Sequence, residues 1–213
     1  MVKPRVLVFN RYYLPGFKAG GPVVSIRNII GSLGNDIEFL VITTDRDLGD
    51  SEPYPNIEEK EWTTIDSTKV MYINSKKITM RFIAEIIAQT PHDAIYLNGY
   101  FALRTTMYPL VLRKLGVVKT KRVLLAPRGA FTIGALSLRH LEKKCYLFLA
   151  RLFQLYTGVI WHASTSHEKE DIARTIGKYA QVYVAKDLPG SSQIGDLRER
   201  ESHADLRLSL IHI

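Results

Sequence analysis

Seven short apolar runs recur along the chain, and segments with helical periodicity lie between them. Most of the runs are continuously apolar and do not alternate with polar residues, which is typical of strands buried on both faces of a parallel sheet. The runs are Arg5–Phe9, Glu38–Thr43, Lys69–Ile73, Ala94–Asn98, Arg122–Ala126, Gly158–Ala163 and Gln181–Ala185. This alternation predicts right-handed strand–helix–strand crossovers and a sheet covered by helices.

The intervening segments place apolar residues on one helical face. In the first of them Pro22 suits an initial helical position, because the N–H that proline lacks would go unpaired there. The faces are formed by Val23, Ile26, Ile30 and Leu33; by Met80, Ile83 and Ile87; by Leu103, Met107, Leu110 and Val111; and by Leu138, Leu141, Cys145, Phe148, Leu152 and Leu155. Thr165 and Glu168 have the spacing of a capping box. We therefore predict an α/β fold, a Rossmann-like, doubly wound and mostly parallel sheet of about seven strands with helices on both faces.

Two stretches interrupt this rhythm. Residues 45–61 are polar, acidic and proline-bearing, and they predict a long surface loop between the second and third strands. Residues 190–213 show no further strand–helix repeat and predict an irregular or short helical tail. We expect residues 1–189 to form one domain, since a chain of 213 residues with 46% apolar residues can bury a sizeable core.

Composition and missing motifs exclude several function classes. The formal net charge of +8 suits anionic partners, but it does not choose among nucleic acid, anionic lipid and phosphate-bearing small molecules. The first strand is not followed by G-x-G-x-x-G, which removes most support for a nicotinamide or flavin. The single Cys145 and the spacing of His162 and His167 do not suit a metal site. We expect neither a cofactor nor a metal.

Two loops at predicted strand ends carry candidate ligand contacts. Gly20 and Gly21 precede a helix, where backbone N–H groups and the helix dipole can approach an anion closely. A flexible turn is the alternative there. Arg128 and Gly129 follow the fifth strand, at the sheet edge where ligands of open α/β folds bind. An arginine at this place can hold a phosphate or carboxylate bidentately, and an exposed arginine in a turn is the alternative.

Residues 138–156 mix basic and aromatic side chains on one helix. Lys143, Lys144 and Arg151 accompany Tyr146 and Phe148 there. We interpret this segment as an ordinary cover helix with a solvated basic face. The alternative is a helix that lies on an anionic membrane surface.

Four segments together resemble the family-4 retaining glycosyltransferases of the GT-B type. They are YYLPGFKAGGPVVSIRNI from Tyr12, VITTDRD from Val41, LAPRGAF followed by GAL from Leu125, and GVIWHASTSHEKEDI from Gly158. The similarity covers residues 3–189 and is greatest to bacterial enzymes that build exopolysaccharide or lipopolysaccharide.

The resemblance implies two Rossmann-like domains with the active site in the cleft between them, and it places the acceptor on the N-terminal domain. It implies that the glycine pair lies near the donor diphosphate and that the exit of the sixth predicted strand faces the cleft. Many relatives have a histidine or another polar residue where Arg128 stands, so no catalytic residue is assigned. The expected substrate-binding residues are Gly20, Gly21, Asn98, Tyr100, Arg128, Gly129, Thr165, Ser166 and Glu168.

For an intact enzyme the resemblance implies transfer of a sugar, with retained anomeric configuration, from a UDP- or GDP-linked donor to a saccharide or lipid-linked acceptor. The family's donor-binding domain and its Glu-x7-Glu motif would follow residue 189 and have no counterpart in this sequence. We therefore expect a truncated chain that is inactive alone.

A non-catalytic Rossmann-like binding or membrane-docking module is the alternative function. Nucleic acid is not an expected partner, because the sequence contains no recognised DNA- or RNA-binding module. The first residues lack the small-residue cleavage site of a signal peptide. We expect a cytoplasmic protein, or one attached peripherally to the inner face of the plasma membrane.

Overall fold

The computed structural model describes residues 3–120, 122–138 and 140–187. Eight strands form one sheet in this part of the chain. The strands are β1 (Arg5–Asn10), β2 (Glu38–Thr44), β3 (Trp62–Ile65), β4 (Thr68–Ile73), β5 (Ala94–Asn98), β6 (Arg122–Ala126), β7 (Val159–Ala163) and β8 (Gln181–Val184). The helices are α1 (Gly21–Leu33), α2 (Met80–Gln89), α3 (Tyr108–Lys114), α4 (Ile133–Ser137), α5 (His140–Leu152) and α6 (Ser166–Thr175), with a π-helical turn at Leu103–Met107 before α3.

The strand order is β3-β4-β2-β1-β5-β6-β7-β8. Neighbouring strands are parallel, except for the antiparallel pair β3–β4. From β1 the chain moves in one direction across the sheet to β2 and β4. It then returns to place β5 on the other side of β1 and continues outward to β8. These observations confirm the predicted Rossmann-like, doubly wound and mostly parallel α/β sheet.

Strand β3 was not among the predicted strands. Residues 45–61 connect β2 to β3 without a helix or strand, as predicted, apart from a single bridge between Glu59 and Tyr72. Trp62–Ile65 then forms an edge strand that pairs with β4 through a tight turn at Asp66 and Ser67, whose φ angles are 45° and 68°. Its residues alternate between exposed and half-buried, so it lacks the continuous apolar run by which the other strands were found.

Helices cover both faces of the sheet. On one face α1 contributes Ile26 and Leu33 to the core. On the other face α2, α3 and α6 contribute Ile83, Leu110 and Ile172. Burying one such aliphatic side chain stabilises the fold by about 1.5–3 kcal/mol relative to leaving it exposed. Because both faces of the central strands are covered, these strands are apolar at nearly every position.

Helix α5 packs differently from the prediction. The apolar stripe that an ordinary cover helix would turn to the sheet is exposed at Leu141, Phe148 and Leu152. Within the described part of α5, Ala150 is the buried residue. The interpretation as an ordinary cover helix is therefore wrong for this stripe. The helix is apolar on more than one side, and periodicity alone does not tell which side faces the core.

The predicted tail, residues 190–213, lies outside the described residues. The boundary of the predicted domain 1–189 stays a prediction for the same reason. Within the described ranges, no helix is long and apolar enough to cross a membrane.

Candidate functional site

The carboxyl ends of β1 and β5 meet where the chain reverses its direction across the sheet, the place where open α/β sheets bind ligands. Asn10 ends β1 and Asn98 ends β5, and both side chains are buried. Asn98 Nδ2 donates to Asn10 Oδ1 at 3.0 Å. Both amides also donate to the carbonyl oxygen of Pro22, at 3.2 Å from Asn98 and 3.3 Å from Asn10. The first turn of α1 is thereby fixed beside the two strand ends.

Gly20 caps the N-terminus of α1 with φ 63° and ψ −117°. These angles mirror those of ordinary extended backbone, and glycine adopts them without strain. A Cβ atom added at Gly20 would meet no atom within 4 Å. The position therefore requires glycine for its backbone conformation and not for lack of space. Gly21 has equally open surroundings and no left-handed φ.

The N-terminus of α1 offers one free amide. Val23 and Val24 donate their N–H groups to the carbonyl oxygen of Gly20, at 3.1 and 3.2 Å, and Pro22 has no N–H. Among the described residues the Gly21 N–H has no acceptor. It lies at the positive end of the helix dipole. This group can donate to an anion that approaches the strand ends.

Asp47, in the loop after β2, holds the loop between β1 and α1. Its buried carboxylate accepts from the backbone N–H groups of Phe17 at 2.7 Å, Lys18 at 3.0 Å and Leu48 at 2.7 Å. Burial acts to raise the pKa of Asp47, but the three donors outweigh it, and the pKa lies below its ordinary value. Residues 45–61 therefore support the approach to the helix N-terminus.

Arg128 follows β6 with a left-handed φ of 56°, and its side chain is only 9% exposed. Its guanidinium donates to Asn98 Oδ1 at 2.7 Å, to Asp187 Oδ1 at 2.6 Å and to Tyr96 OH at 3.0 Å. Asp187, 49% exposed, supplies the countercharge. Arg128 thus joins the ends of β5 and β6 to the chain beyond β8. An incoming anion would have to compete with Asp187 for it.

A hydrogen-bond chain runs from Arg128 to the exit of β8 through His162. His162 Nδ1 lies 2.6 Å from Tyr96 OH, and Nε2 lies 2.9 Å from the carbonyl oxygen of Ala185. A carbonyl only accepts, so Nε2 carries the proton and Nδ1 accepts from Tyr96. Burial, together with the charge of Arg128, lowers the pKa of His162 to about 4. The imidazole is therefore neutral near pH 7 and serves to connect the strands.

Glu168 joins the loop after β6 to the loop after β7. Its carboxylate accepts from Gly129 N at 2.7 Å, from Ser164 N at 2.7 Å and from Ser164 Oγ at 2.8 Å. Thr165 caps α6 as predicted, because its Oγ1 accepts from Glu168 N at 3.1 Å. The return bond of the predicted capping box is displaced by one residue, since Glu168 bonds Ser164 N and not Thr165 N.

Hydrogen bonds at the strand ends join Arg128 to Asn98, and they join Glu168 to Gly129 and Thr165. Gly20 and Gly21 lie at the N-terminus of α1, where the carbonyl oxygen of Pro22 accepts from Asn98. Thr165 is exposed at the start of α6, and so is Ser166. Tyr100 does not join this group. It is 1% exposed and packs against Phe131 and Trp161 in the aromatic core, so its place in the sequence serves packing.

Sequence reasoning missed four residues that shape this site: Asn10, Asp47, Tyr96 and Asp187. A signal existed for Asn10, because a polar residue closes its apolar run just as Asn98 closes another. The other three gave no local signal. Each meets its partner only after distant strands have paired.

A cavity of about 950 Å³ lies elsewhere, beside α1 and the turn between β3 and β4. Its wall includes Arg27, Glu38, Asp66 and Lys69. Cations and carboxylates are mixed on this wall, and Lys69 approaches Glu38 at 3.8 Å. No single ligand charge suits such a surface. The strand ends remain the better candidate, because buried polar side chains converge there beside a helix N-terminus.

The strand-end arrangement can receive an anion at the start of α1 while the exits of β5, β6, β7 and β8 are held together. Among the described residues no group of three His, Cys, Asp or Glu side chains is placed to hold a metal ion.

In comparisons with known proteins, no family model matches the chain. No curated protein matches it either. A function must therefore be argued from the geometry and from the sequence motifs.

Proposed function

We propose that this chain is the acceptor-side half of a retaining GT-B glycosyltransferase, which transfers a sugar from a UDP- or GDP-linked donor to a hydroxyl of a glycan or lipid-linked acceptor. One observation carries the proposal. The glycine pair and the N-terminus of α1 lie at the switch point of a doubly wound sheet, tethered to Asn10 and Asn98. The resemblance of four segments to such enzymes supports the same reading.

The proposed chemistry at this place is stabilisation of the departing diphosphate. Charge builds on the diphosphate as the bond to the sugar breaks, and fixed donors aimed at it lower the barrier. The Gly21 N–H and the α1 dipole are such donors, and the bonds from Asn10 and Asn98 hold them in place without reorganisation. The residues that would activate the acceptor hydroxyl stay unassigned.

Arg128 has a positioning role in this proposal. Its bonds to Asn98 and Asp187 align the strand exits, and its low exposure limits direct contact with a substrate. A donor phosphate that displaced Asp187 would turn the same guanidinium into a ligand contact. The proposed donor contact therefore begins at Gly21 and extends to Arg128 only if that ion pair opens.

A titration of the ¹⁵N-labelled chain with UDP, GDP and their sugar conjugates, followed by NMR, tests this proposal. The amide resonances of Gly20 and Gly21 should shift in a saturable way, with dissociation constants in the millimolar range because few contacts are made. Uridine, which lacks the phosphates, is the matched control and should leave both resonances in place. Shifts confined to other regions, or equal shifts with uridine, would contradict the proposal.

The proposal places the enzyme in the cytoplasm or on the inner face of the plasma membrane, where lipid-linked acceptors are accessible. The alternative, a non-catalytic membrane-docking module, is favoured by one observation, the exposed apolar side of α5. If the chain binds lipid vesicles and no nucleotide shifts the resonances of Gly20 and Gly21, the chain is such a module.

A further inference from the structure

The cavity of about 950 Å³ beside α1 lies where one crossover of the sheet has no helix. Strands β2 and β4 are parallel neighbours, and residues 45–61 and β3 join them. The step from β2 to β4 runs in the same direction as the step from β1 to β2, so a right-handed crossover passes over the face that α1 covers. A helix in this crossover would lie beside α1. Without it, the outer side of α1 and the first residues of β2 and β4 border a hollow.

Arg27 and Asp66 are opposite charges on two sides of this cavity. Arg27 is exposed on α1, and Asp66 is exposed in the turn between β3 and β4. Burial raises the pKa of Tyr13, the charge of Asp66 raises it further, and the charge of Arg27 lowers it. Both charged groups therefore lie near the Tyr13 hydroxyl, which belongs to the same cavity wall. Even so, neither charged side chain makes an ion pair or a hydrogen bond with another described residue.

The other charged side chains of the cavity wall already have partners. Glu38 accepts from Arg5 Nε at 2.7 Å, and the ammonium of Lys69 lies 3.8 Å from the same carboxylate. The ammonium of Lys3 donates to a backbone carbonyl just past the end of α1, at 3.1 Å. The two charges near Tyr13 are therefore the ones that the cavity leaves for a ligand.

Gly31 lies in the interior of α1, on the side that faces the cavity. A Cβ atom added there would meet no atom within 4 Å, so packing within the chain does not require a glycine. Glycine inside a helix destabilises it relative to alanine. Arg27, Gly31 and Gly34 recur at helical spacing on one side of α1 and span about 10 Å along its axis. The cavity is thus a trough with bare helix backbone in one wall, where a ligand can approach the helix closely.

We propose that this cavity binds a free α-amino acid with a long apolar side chain. The ligand carboxylate lies at the guanidinium of Arg27, and the ligand ammonium lies at the carboxylate of Asp66. Because both protein charges lie near one hydroxyl, the two ligand charges have to be close together, as they are on one α-carbon. The apolar side chain extends over Gly31 along the trough, whose apolar wall includes Phe39. A ligand with a single charge would leave one of the two protein charges unpaired.

This site is separate from the proposed diphosphate contact and does not depend on sugar transfer. The Gly21 N–H lies at the start of α1, whereas Gly31 lies ten residues, or about 15 Å, farther along the helix. Amino-acid binding and nucleotide binding can therefore be measured independently, and the failure of one leaves the other standing.

A calorimetric titration of the full chain with L-phenylalanine tests the site. Saturable binding in the millimolar range is expected, because water screens both protein charges in part. N-acetyl-L-phenylalanine lacks the ammonium and L-phenylalaninamide lacks the carboxylate, so each should bind about 2–5-fold more weakly. L-alanine has the same charged groups without the apolar ring and should bind at least about tenfold more weakly. No binding of L-phenylalanine, or equal binding of its two blocked forms and the parent amino acid, would overturn the proposal.

Two charge variants assign the contacts. Asp66→Asn should abolish the preference for L-phenylalanine over its N-acetyl form and keep the preference over the amide. Asparagine, like aspartate, tolerates the left-handed φ of 45° at this position. Arg27→Gln should abolish the preference over the amide and keep the other. Lys169→Gln and Glu170→Gln remove exposed charges on α6 and should leave every affinity unchanged. If Asp66→Asn and Arg27→Gln keep both preferences of the parent chain, the assigned contacts are wrong.

Gly31→Ala separates binding from folding. The added methyl group meets no atom of the chain and favours the helix, so Tm should rise by about 1–4 °C. The same methyl group occupies the trough and should lower the affinity for L-phenylalanine at least about fivefold. Gly134→Ala adds a methyl group with equally open surroundings to α4 and should leave this affinity unchanged. A Gly31→Ala chain that is more stable and binds L-phenylalanine as tightly as the parent chain would refute the placement of the ligand.

Discussion

Replacing Gly20 and Gly21 one at a time by alanine separates a backbone requirement from a simple need for space. Neither added Cβ would meet an atom within 4 Å, so neither substitution creates a clash. The two positions differ in backbone conformation, because Gly20 has φ 63° and ψ −117° and Gly21 has no left-handed φ. The two variants should therefore change stability in opposite directions.

The magnitudes follow from two opposing effects. Alanine in the conformation of Gly20 is strained by about 1–3 kcal/mol, and the stiffer unfolded chain offsets about 0.4–1 kcal/mol of this. Gly20→Ala should therefore lower the free energy of unfolding by about 1–2 kcal/mol, which for a chain of this size lowers Tm by about 2–8 °C. Gly21→Ala has only the second effect and should raise the free energy of unfolding by about 0.4–1 kcal/mol.

Urea denaturation followed by circular dichroism measures both changes. The same variants should differ in nucleotide binding, since Gly21→Ala keeps the free N–H group and Gly20→Ala displaces it. If both variants lose stability equally, the backbone reasoning at Gly20 is refuted. If Gly20→Ala leaves the Gly21 amide shift with UDP unchanged, the link between this conformation and anion binding is refuted.

Four further results are expected. Asp47→Asn should lower the free energy of unfolding by about 1–3 kcal/mol, measured in urea, because the amide leaves the three backbone donors a single, uncharged acceptor oxygen. Asp47 contributes its full stability above its unfolded pKa of about 4, and this contribution is lost as the pH falls through the lowered pKa of the folded state. Below about pH 4 the free energy of unfolding should therefore depend less on pH in the variant than in the parent chain. His162 stays neutral in the folded chain, whereas in the unfolded chain it takes up a proton below about pH 6.5. The free energy of unfolding should therefore fall by about 3 kcal/mol as the pH drops from about 6.5 to about 4, which a series of Tm measurements against pH would show. Asp187→Asn should free the guanidinium of Arg128 and so raise the affinity for pyrophosphate several-fold, as measured by calorimetry. If the affinity does not rise, the ion pair between Arg128 and Asp187 does not limit access of an anion to Arg128. Tyr96→Phe should cost about 1–3 kcal/mol in urea, because Arg128 and His162 each lose a buried partner.

The sequence carried enough information for most of the fold. Continuous apolar runs identify strands covered on both faces, and the seven predicted runs correspond to the seven strands from β1 to β8 other than β3. Trp62–Ile65 escaped because an edge strand is half exposed and short. The stripe of α5 was misread because Ala150, a small residue, marks its buried side, whereas the larger Leu141 and Phe148 are exposed.

The candidate site was predictable only in part. Strand ends and glycine-containing loops are local features, and these placed Gly20 and Arg128 at the correct edge of the sheet. The partners of Arg128 were not predictable, because Asp187 reaches it only once β8 has paired with β7. Tyr100 lies close to a strand end, which suggested a substrate contact. Its ring belongs to the aromatic core, and the substrate contact stays a prediction.

A calorimetric titration of the purified chain with UDP, GDP and their sugar conjugates tests the central claim most directly. An acceptor-side half that contributes only the N-terminus of α1 to the donor should bind nucleoside diphosphates weakly, in the millimolar range. The affinity should depend on the diphosphate and differ little between the two bases. Tight binding that selects one base and one sugar would contradict the account, because it would require a complete donor site within this chain.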